Sequence, residues 1–254
     1  MTVRIQRTGR VGTITLDRPP ANAFDETQTA ALVAAVTDLD ADSDIGVVLI
    51  RSDQRIFCGG ADIAMMDSWS GTPDRGDRLR RFTAALQDAY ALVESMHTPS
   101  VAALAGAATG GGLELALACD FRVAGSGIKL GLPEVGIGLL PGAGGTQRLT
   151  RIAGLSVAYR IILGAELVSG REAERLGIVH WATDGDVDAE ALALAERLGK
   201  LPPLAYGAAK RCIAAAHGDG GYVHELDEIS RLIETPETTR LLEGFIARSA
   251  STSR

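Results

Sequence analysis

The sequence predicts an α/β protein with a helical C-terminal region. Three observations carry that expectation. Short apolar runs, such as residues 45–51 (IGVVLIR) and 100–105 (SVAALA), read as buried strands. They alternate with stretches in which Ala, Leu and Val recur at helical spacing. Glycine clusters mark the junctions, and beyond residue 187 the helical spacing continues without strand patterns. The expected division is a core over residues 1–187 and a helical region over residues 188–254.

Each element follows from its residues. Residues 2–7 and 11–17 alternate polar and apolar side chains around Thr8-Gly9-Arg10, the pattern of a hairpin. Asp25 or Thr27 can start a helix that runs to about Leu39. After the strand at 45–51, residues 53–62 make a loop, and residues 62–80 mix Met, Trp, Gly, Pro and charge as a mobile flap would. A helix from about Asp77 to Met96 precedes the strand at 100–105. A glycine turn then leads into the apolar helix Gly111–Ala118, and residues 121–124 and 129–130 read as short strands. From Gly144 the chain is mostly helical apart from residues 178–182. Helices are expected near 188–199, 203–217, 221–234 and 237–248.

Composition excludes several classes. The chain has 254 residues, 46% of them apolar, and a formal charge of −7. A fold of that size removes roughly 70–75% of the unfolded chain's surface from water, so neither disulfide nor metal is needed to stabilise it. The acidic balance argues against nucleic-acid binding, which calls for a basic stripe. Cys58, Cys119 and Cys212 form no CxxC pair, which suits a reducing compartment. The N-terminal stretch lacks the apolar run of a signal peptide, and no charge-free apolar window of about 18 residues exists. The expectation is a cytoplasmic protein without a membrane span.

Generic motifs fail on inspection. Gly142-Ala143-Gly144 resembles half of a dinucleotide fingerprint, but Gln147 holds the third glycine position. Gly106 and Gly111 have phosphate-loop spacing, but Gly112 stands where lysine is required. The four histidines show no metal-ligand spacing, and no GxSxG elbow occurs. No metal site is expected.

Three stretches remain. In residues 57–63 (FCGGADI), adjacent glycines can aim backbone N–H groups near Ala61 at a ligand oxygen, or simply make a tight strand-to-helix turn with Asp62 as the cap. In residues 106–114 (GAATGGGLE), Glu114 is the one charge of a helix apolar all round, with Gly110 and Ala118 one turn away. It either serves the helix N-terminus alone, or acts as general acid or base beside N–H groups that stabilise an oxyanion. In residues 132–149 (LPEVGIGLLPGAGGTQRL), Glu134 is the only acid, either an exposed turn residue or a second functional carboxyl.

Together these stretches resemble the crotonase superfamily, the enoyl-CoA hydratase/isomerase family. The resemblance opens at residues 17–23 (DRPPANA), passes through all three stretches, and ends at Ala209-Lys210 and Glu243-Gly244-Phe245. It implies a spiral of ββα turns with a C-terminal region that packs into homotrimers, or hexamers as dimers of trimers. It also implies an acyl-CoA thioester substrate, with CoA belonging to the substrate and no further cofactor. By motif match, the N–H groups of Ala61 and Gly111 form an oxyanion hole. The backbone around Ala21–Ala23, and that of Ala61, Asp62 and Ile63, cradles CoA, with Lys210 a candidate phosphate contact. Relatives carry a lysine just after the GADI loop; here Ala64 stands there. Gly142 leaves room for water or the acyl chain, and Met65, Met66 and Trp69 either line the acyl pocket or pack. Glu114 and Glu134 match both glutamates of the hydratases, so the resemblance implies addition of water to a 2-enoyl-CoA, with Glu114 activating the water and Glu134 protonating C2. The rival readings are a double-bond isomerase or another thioester enzyme on this scaffold, and a non-catalytic oligomer that binds partners.

Overall fold

The computed structural model describes residues 2–218 and 220–252. The chain divides into two units, Met1–Gly199 and Lys200–Arg254.

In the first unit, β1 (Val3–Thr8) and β2 (Val11–Leu16) form the expected antiparallel hairpin, with Gly9 at a φ of 58° in the turn. β3 (Val47–Ser52), β4 (Ser100–Leu104), β6 (Phe121–Gly125) and β9 (Trp181–Thr183) extend it in parallel, in the order β1-β2-β3-β4-β6-β9. A narrow second sheet joins β5 (Ala108–Thr109), β7 (Lys129–Gly131) and β8 (Val168–Ser169) in that order. Single-residue bridges from Phe24 to Ala61 and from Cys58 to Ala108 prolong that narrow layer. Successive passes of the chain thus give a strand to the wide sheet, a short pairing to the narrow one, and then a helix. This is the ββα spiral.

Four helices of this unit start at a capping side chain. The Asp25 carboxylate accepts from Gln28 N at 2.7 Å and opens α1 (Glu26–Asp40). Asp62 does the same for α2 (Ile63–Asp67) from Met65 N at 3.1 Å. α3 (Arg75–Ser95), α4 (Gly111–Ala118), α5 (Gly145–Ala153), α6 (Leu155–Ala158) and α7 (Gly170–Arg175) follow. α8 (Val187–Leu198) is capped by Asp186.

Two apolar layers hold the wide sheet. On one face Ile14, Leu16, Val48, Ile50 and Leu104 pack with Leu32 and Val36 of α1, Leu86 and Tyr90 of α3, and Leu113 of α4. On the other, Val47, Leu49, Val101 and Val123 meet Val187, Ala191, Ala195 and Leu198 of α8. Burial on both faces explains the unbroken apolar run of β3. It also moves the boundary expected at 187/188. That boundary puts α8 in the C-terminal region, but its apolar stripe covers the sheet, and the first unit ends at Gly199.

Other differences have local causes. The segment expected as a flap contains α2, and Trp69 within it is buried with its ring edge-on to Phe82 at 6.3 Å. α3 begins at Arg75 rather than near Asp77. The last parallel strand is Trp181–Thr183 rather than 178–182, because Ile178 and Val179 turn into the core instead. The two-residue strands β5 and β8 have no counterpart in the sequence reading.

The second unit holds α9 (Pro203–Ala214), α10 (Gly221–Ile233) and α11 (Pro236–Thr252). Arg211 Nε of α9 donates to Glu228 Oε1 of α10 at 2.7 Å. α10 buries none of its residues, and Tyr222, Leu226 and Ile229 are exposed along it. No helix among the described residues is long and apolar enough to cross a membrane.

Candidate active site

The loop after β3 is stitched into place on both sides. Phe57 N and Cys58 N donate to Ala107 O at 2.9 and 3.2 Å, and Thr109 N donates to Cys58 O at 3.1 Å. Across the loop, Gly59 N donates to Ala21 O at 2.9 Å, Phe24 N to Gly60 O at 2.7 Å, and Asp62 N to Phe24 O at 2.8 Å. Buried Asn22 locks the same corner through Ser52 Oγ at 2.8 Å and Phe57 O at 2.9 Å. Arg18 Nη1 donates to Ala23 O, while Nη2 pairs with Asp62 at 2.6 Å and Asp25 at 3.0 Å.

That stitching brings Ala61 against the start of α4. Gly60 sits at a φ of 102°, and a Cβ on Gly111 would lie only 3.6 Å from Ala61 N. Gly112 is required by contact, since a Cβ there would stand 2.2 Å from Cys58 O. Among the described residues, neither the Ala61 N–H nor the Gly111 N–H donates to another group of the chain. They are neighbouring donors.

Both acids come to this glycine loop. Glu114, one turn into α4, is 3% exposed, and its Oε1 accepts from Gly145 N at 2.8 Å. Burial pushes its carboxyl up to about 7; the Gly145 N–H opposes that rise and the Glu134 charge adds to it. Glu134 leads a one-turn 3₁₀ helix, Glu134–Ile137. Its Oε1 lies 2.9 Å from the position a Cβ on Gly110 would take, and its buried Oε2 has no partner among the described residues. Burial raises this carboxyl as well. Ala61, Gly111, Glu114 and Glu134 all line one cavity of about 510 Å³.

The remaining expected residues divide. Ile63 and Gly142 also line the cavity. Gly142 lies close to α3, because a Cβ there would meet Thr83 Cγ2 at 2.8 Å, and its carbonyl accepts from Gln87 Nε2 at 2.6 Å. Ala21, Ala23 and Asp62 lie outside the lining; the two carbonyls and the carboxylate hold the loops instead. Lys210 is a half-buried residue of α9 in the second unit. Met66 lines the cavity, whereas Met65 packs against the core and Trp69 is buried in it.

Several contributors went unread in the sequence. Leu79, Phe82, Thr83 and Leu86 of α3 form a wall, and their spacing of three to four residues was the signal. Arg148 is buried, donating from Nη1 to Ala143 O at 2.9 Å and from Nη2 to Glu94 Oε2 at 2.8 Å. It therefore holds the turn whose Gly145 N–H reaches Glu114. Among the described residues no cluster of three or more His, Cys, Asp or Glu side chains is placed to hold a metal ion.

Comparison with known proteins matches the family model for enoyl-CoA hydratase/isomerase over residues 6–244. The chain belongs to the enoyl-CoA hydratase/isomerase family. It is 36% identical over 252 residues to the 2,3-dehydroadipyl-CoA hydratase of Escherichia coli K12, covering 96% of this chain and 95% of the relative. It is 38% identical over 178 residues to the crotonyl-CoA hydratase of Syntrophomonas wolfei, covering 69% of this chain and 66% of that one. The crystal structure of an enoyl-CoA hydratase from Bacillus anthracis superposes with a TM-score of 0.90 at 29% identity, over 98% of this chain and 97% of the other. The fold is thus the crotonase fold.

Proposed function

We propose that this enzyme adds water across the 2,3 double bond of a 2-enoyl-CoA to give the 3-hydroxyacyl-CoA. One observation carries the reading: a buried carboxyl group, a half-buried one and two neighbouring, unspent N–H donors line the same largely apolar cavity. A hydratase needs that combination, because charge develops on the thioester oxygen while a proton leaves water and another reaches carbon.

In this reading the Ala61 and Gly111 N–H groups donate to the thioester oxygen. Glu114 takes a proton from a water molecule as its oxygen bonds to C3. The double-bond electrons move onto the thioester oxygen, and the resulting enolate collapses as Glu134 gives its proton to C2. Proton exchange between the two carboxyls and water resets the site. A base whose acidity lies near neutrality suits the first transfer, and burial supplies it. Loss of one oxyanion donor typically costs about 3–4 kcal/mol.

CoA would run over the main chain of Ala61, Asp62 and Ile63 and the corner at Ala21 and Ala23. The side chain of Asp62 is spent on Arg18 and the α2 cap, so it offers backbone alone. CoA is part of the substrate, and no other cofactor is assigned. The exposed apolar faces in the second unit support assembly of copies of this chain, as a homotrimer or a dimer of trimers. Cys58, Cys119 and Cys212 form no disulfide, which suits the reducing cytoplasm.

The test is isotopic. Purified enzyme, a short trans-2-enoyl-CoA and heavy-oxygen water should yield 3-hydroxyacyl-CoA carrying the solvent oxygen at C3. Migration of the double bond without oxygen uptake would replace hydration by isomerisation.

A further inference from the structure

The hydratase reading leaves the acyl group unspecified, and the cavity wall narrows it. Ile63, Met66, Leu79, Phe82, Leu86 and Leu140 supply apolar surface. Among the described residues, the only ionisable side chains on the wall are Glu114 and Glu134. Both are acids. The guanidinium groups built into the surrounding loops do not line the cavity and are paired off: Arg18 with Asp25 and Asp62, Arg148 with Glu94 and the Ala143 carbonyl. Two hydroxyls remain. Thr109 Oγ1 already donates to Gly59 O at 3.4 Å, which leaves Thr83.

We infer that this enzyme acts on enoyl thioesters with an uncharged, apolar acyl chain and discriminates against chains that end in a carboxylate. The inference rests on the proposed hydratase reading and deepens it. A terminal carboxylate drawn into this cavity would lose part of its water, find no cation, and face two carboxyl groups. One hydroxyl donor cannot replace the hydration of a full charge. The site already resists negative charge: burial raises both of its own acids, and the Glu134 charge raises Glu114 further. An alkyl tail loses nothing polar on entry and gains contact with the wall.

The experiment compares two six-carbon substrates, trans-2-hexenoyl-CoA and 2,3-dehydroadipyl-CoA, which differ at the chain end. The expected kcat/KM ratio favours the hexenoyl substrate by at least about a hundredfold, since an unpaired buried charge is the difference. The neutral ω-carboxamide should fall between them, at least about tenfold faster than the acid, because charge rather than bulk is refused. A Leu79→Lys protein with an intact melting curve should gain at least about tenfold on the diacid by offering it a cation. Equal turnover of acid and hexenoyl substrates, or a carboxamide as slow as the acid, would overturn the inference. If neither thioester were hydrated, the hydratase reading would fail. Their dissociation constants, measured by calorimetry, would then decide the inference separately: tighter binding of the hexenoyl thioester upholds it, and equal binding overturns it.

Discussion

Glu114 is held where a carboxylate is least comfortable. Its folded-state acidity lies near 7 against an ordinary 4.5, with burial the leading cause. Below pH 4.5 the folded and unfolded chains both carry the proton, and no penalty exists. As pH rises towards 7 the unfolded chain ionises first and binds fewer protons, so stability falls. The full effect above pH 7 is on the order of 3 kcal/mol. Replacing Glu114 by Gln should therefore stabilise the protein increasingly between pH 4.5 and 7.5 while impairing turnover. Urea denaturation of both proteins across that range is the check; a constant difference would contradict the burial argument. Arg148 opposes the rise at Glu114. An Arg148→Met protein should show the ascending limb of its kcat/KM profile displaced to higher pH, beyond any loss of stability.

At the scale of elements, the site depends on backbone meeting backbone. Gly112 lets the first turn of α4 rest on the Cys58 carbonyl, and an added methyl would stand 2.2 Å from that oxygen. Gly112→Ala should cost at least about 1–3 kcal/mol, the usual range for overpacking, and displace Gly111 with it. Denaturation midpoints give the cost, and the KM for enoyl thioester reads the displacement. On the other side of the wide sheet, Leu198 of α8 is 3% exposed. Leu198→Ala should lose about 2–5 kcal/mol and leave the pH profile of turnover unmoved, since α8 packs on the sheet face away from α4.

Legibility in the sequence follows the same physics. Helix α4 could be read with its ends because nothing but apolar residues and one acid follows the glycines. The hairpin could be read from alternation. The helical period of α8 was visible at Val187, Ala191, Ala195 and Leu198, but which surface it covers depends on β3, over 130 residues earlier. The two-residue strands β5 and β8 are too short to impose a period. Glu94 and Arg148 are 54 residues apart, so their pairing exists only once α3 and α5 have docked. Within the site, motif likeness singled out Ala61, Gly111, Glu114 and Glu134, and the fold brings all four to one cavity. The α3 wall needed the fold to identify its face.

For the whole molecule, the spiral places the ends of separate passes around one cavity. The donors come from the loop after β3 and the start of α4, one acid from α4 and the other from the turn after β7. No single element contains the site, which is why a rigid sheet with closely packed faces serves it. The second unit leaves Tyr222, Leu226 and Ile229 of α10 open to water in a single chain. Sedimentation equilibrium should give a mass three or six times that of the chain, and Leu226→Asp together with Ile229→Asp should lower it. A monomer at micromolar concentration would remove the proposed assembly without touching the chemistry.

The most direct measurement of the central claim, that two acids act together in one cavity, is the decay of the conjugated enoyl-thioester absorbance in three proteins. The native enzyme should consume the chromophore. Glu114→Gln and Glu134→Gln, each still binding the thioester by calorimetry, should be slower by about a hundredfold or more, the usual loss of a general acid or base. Decay at the native rate in either variant would contradict the account.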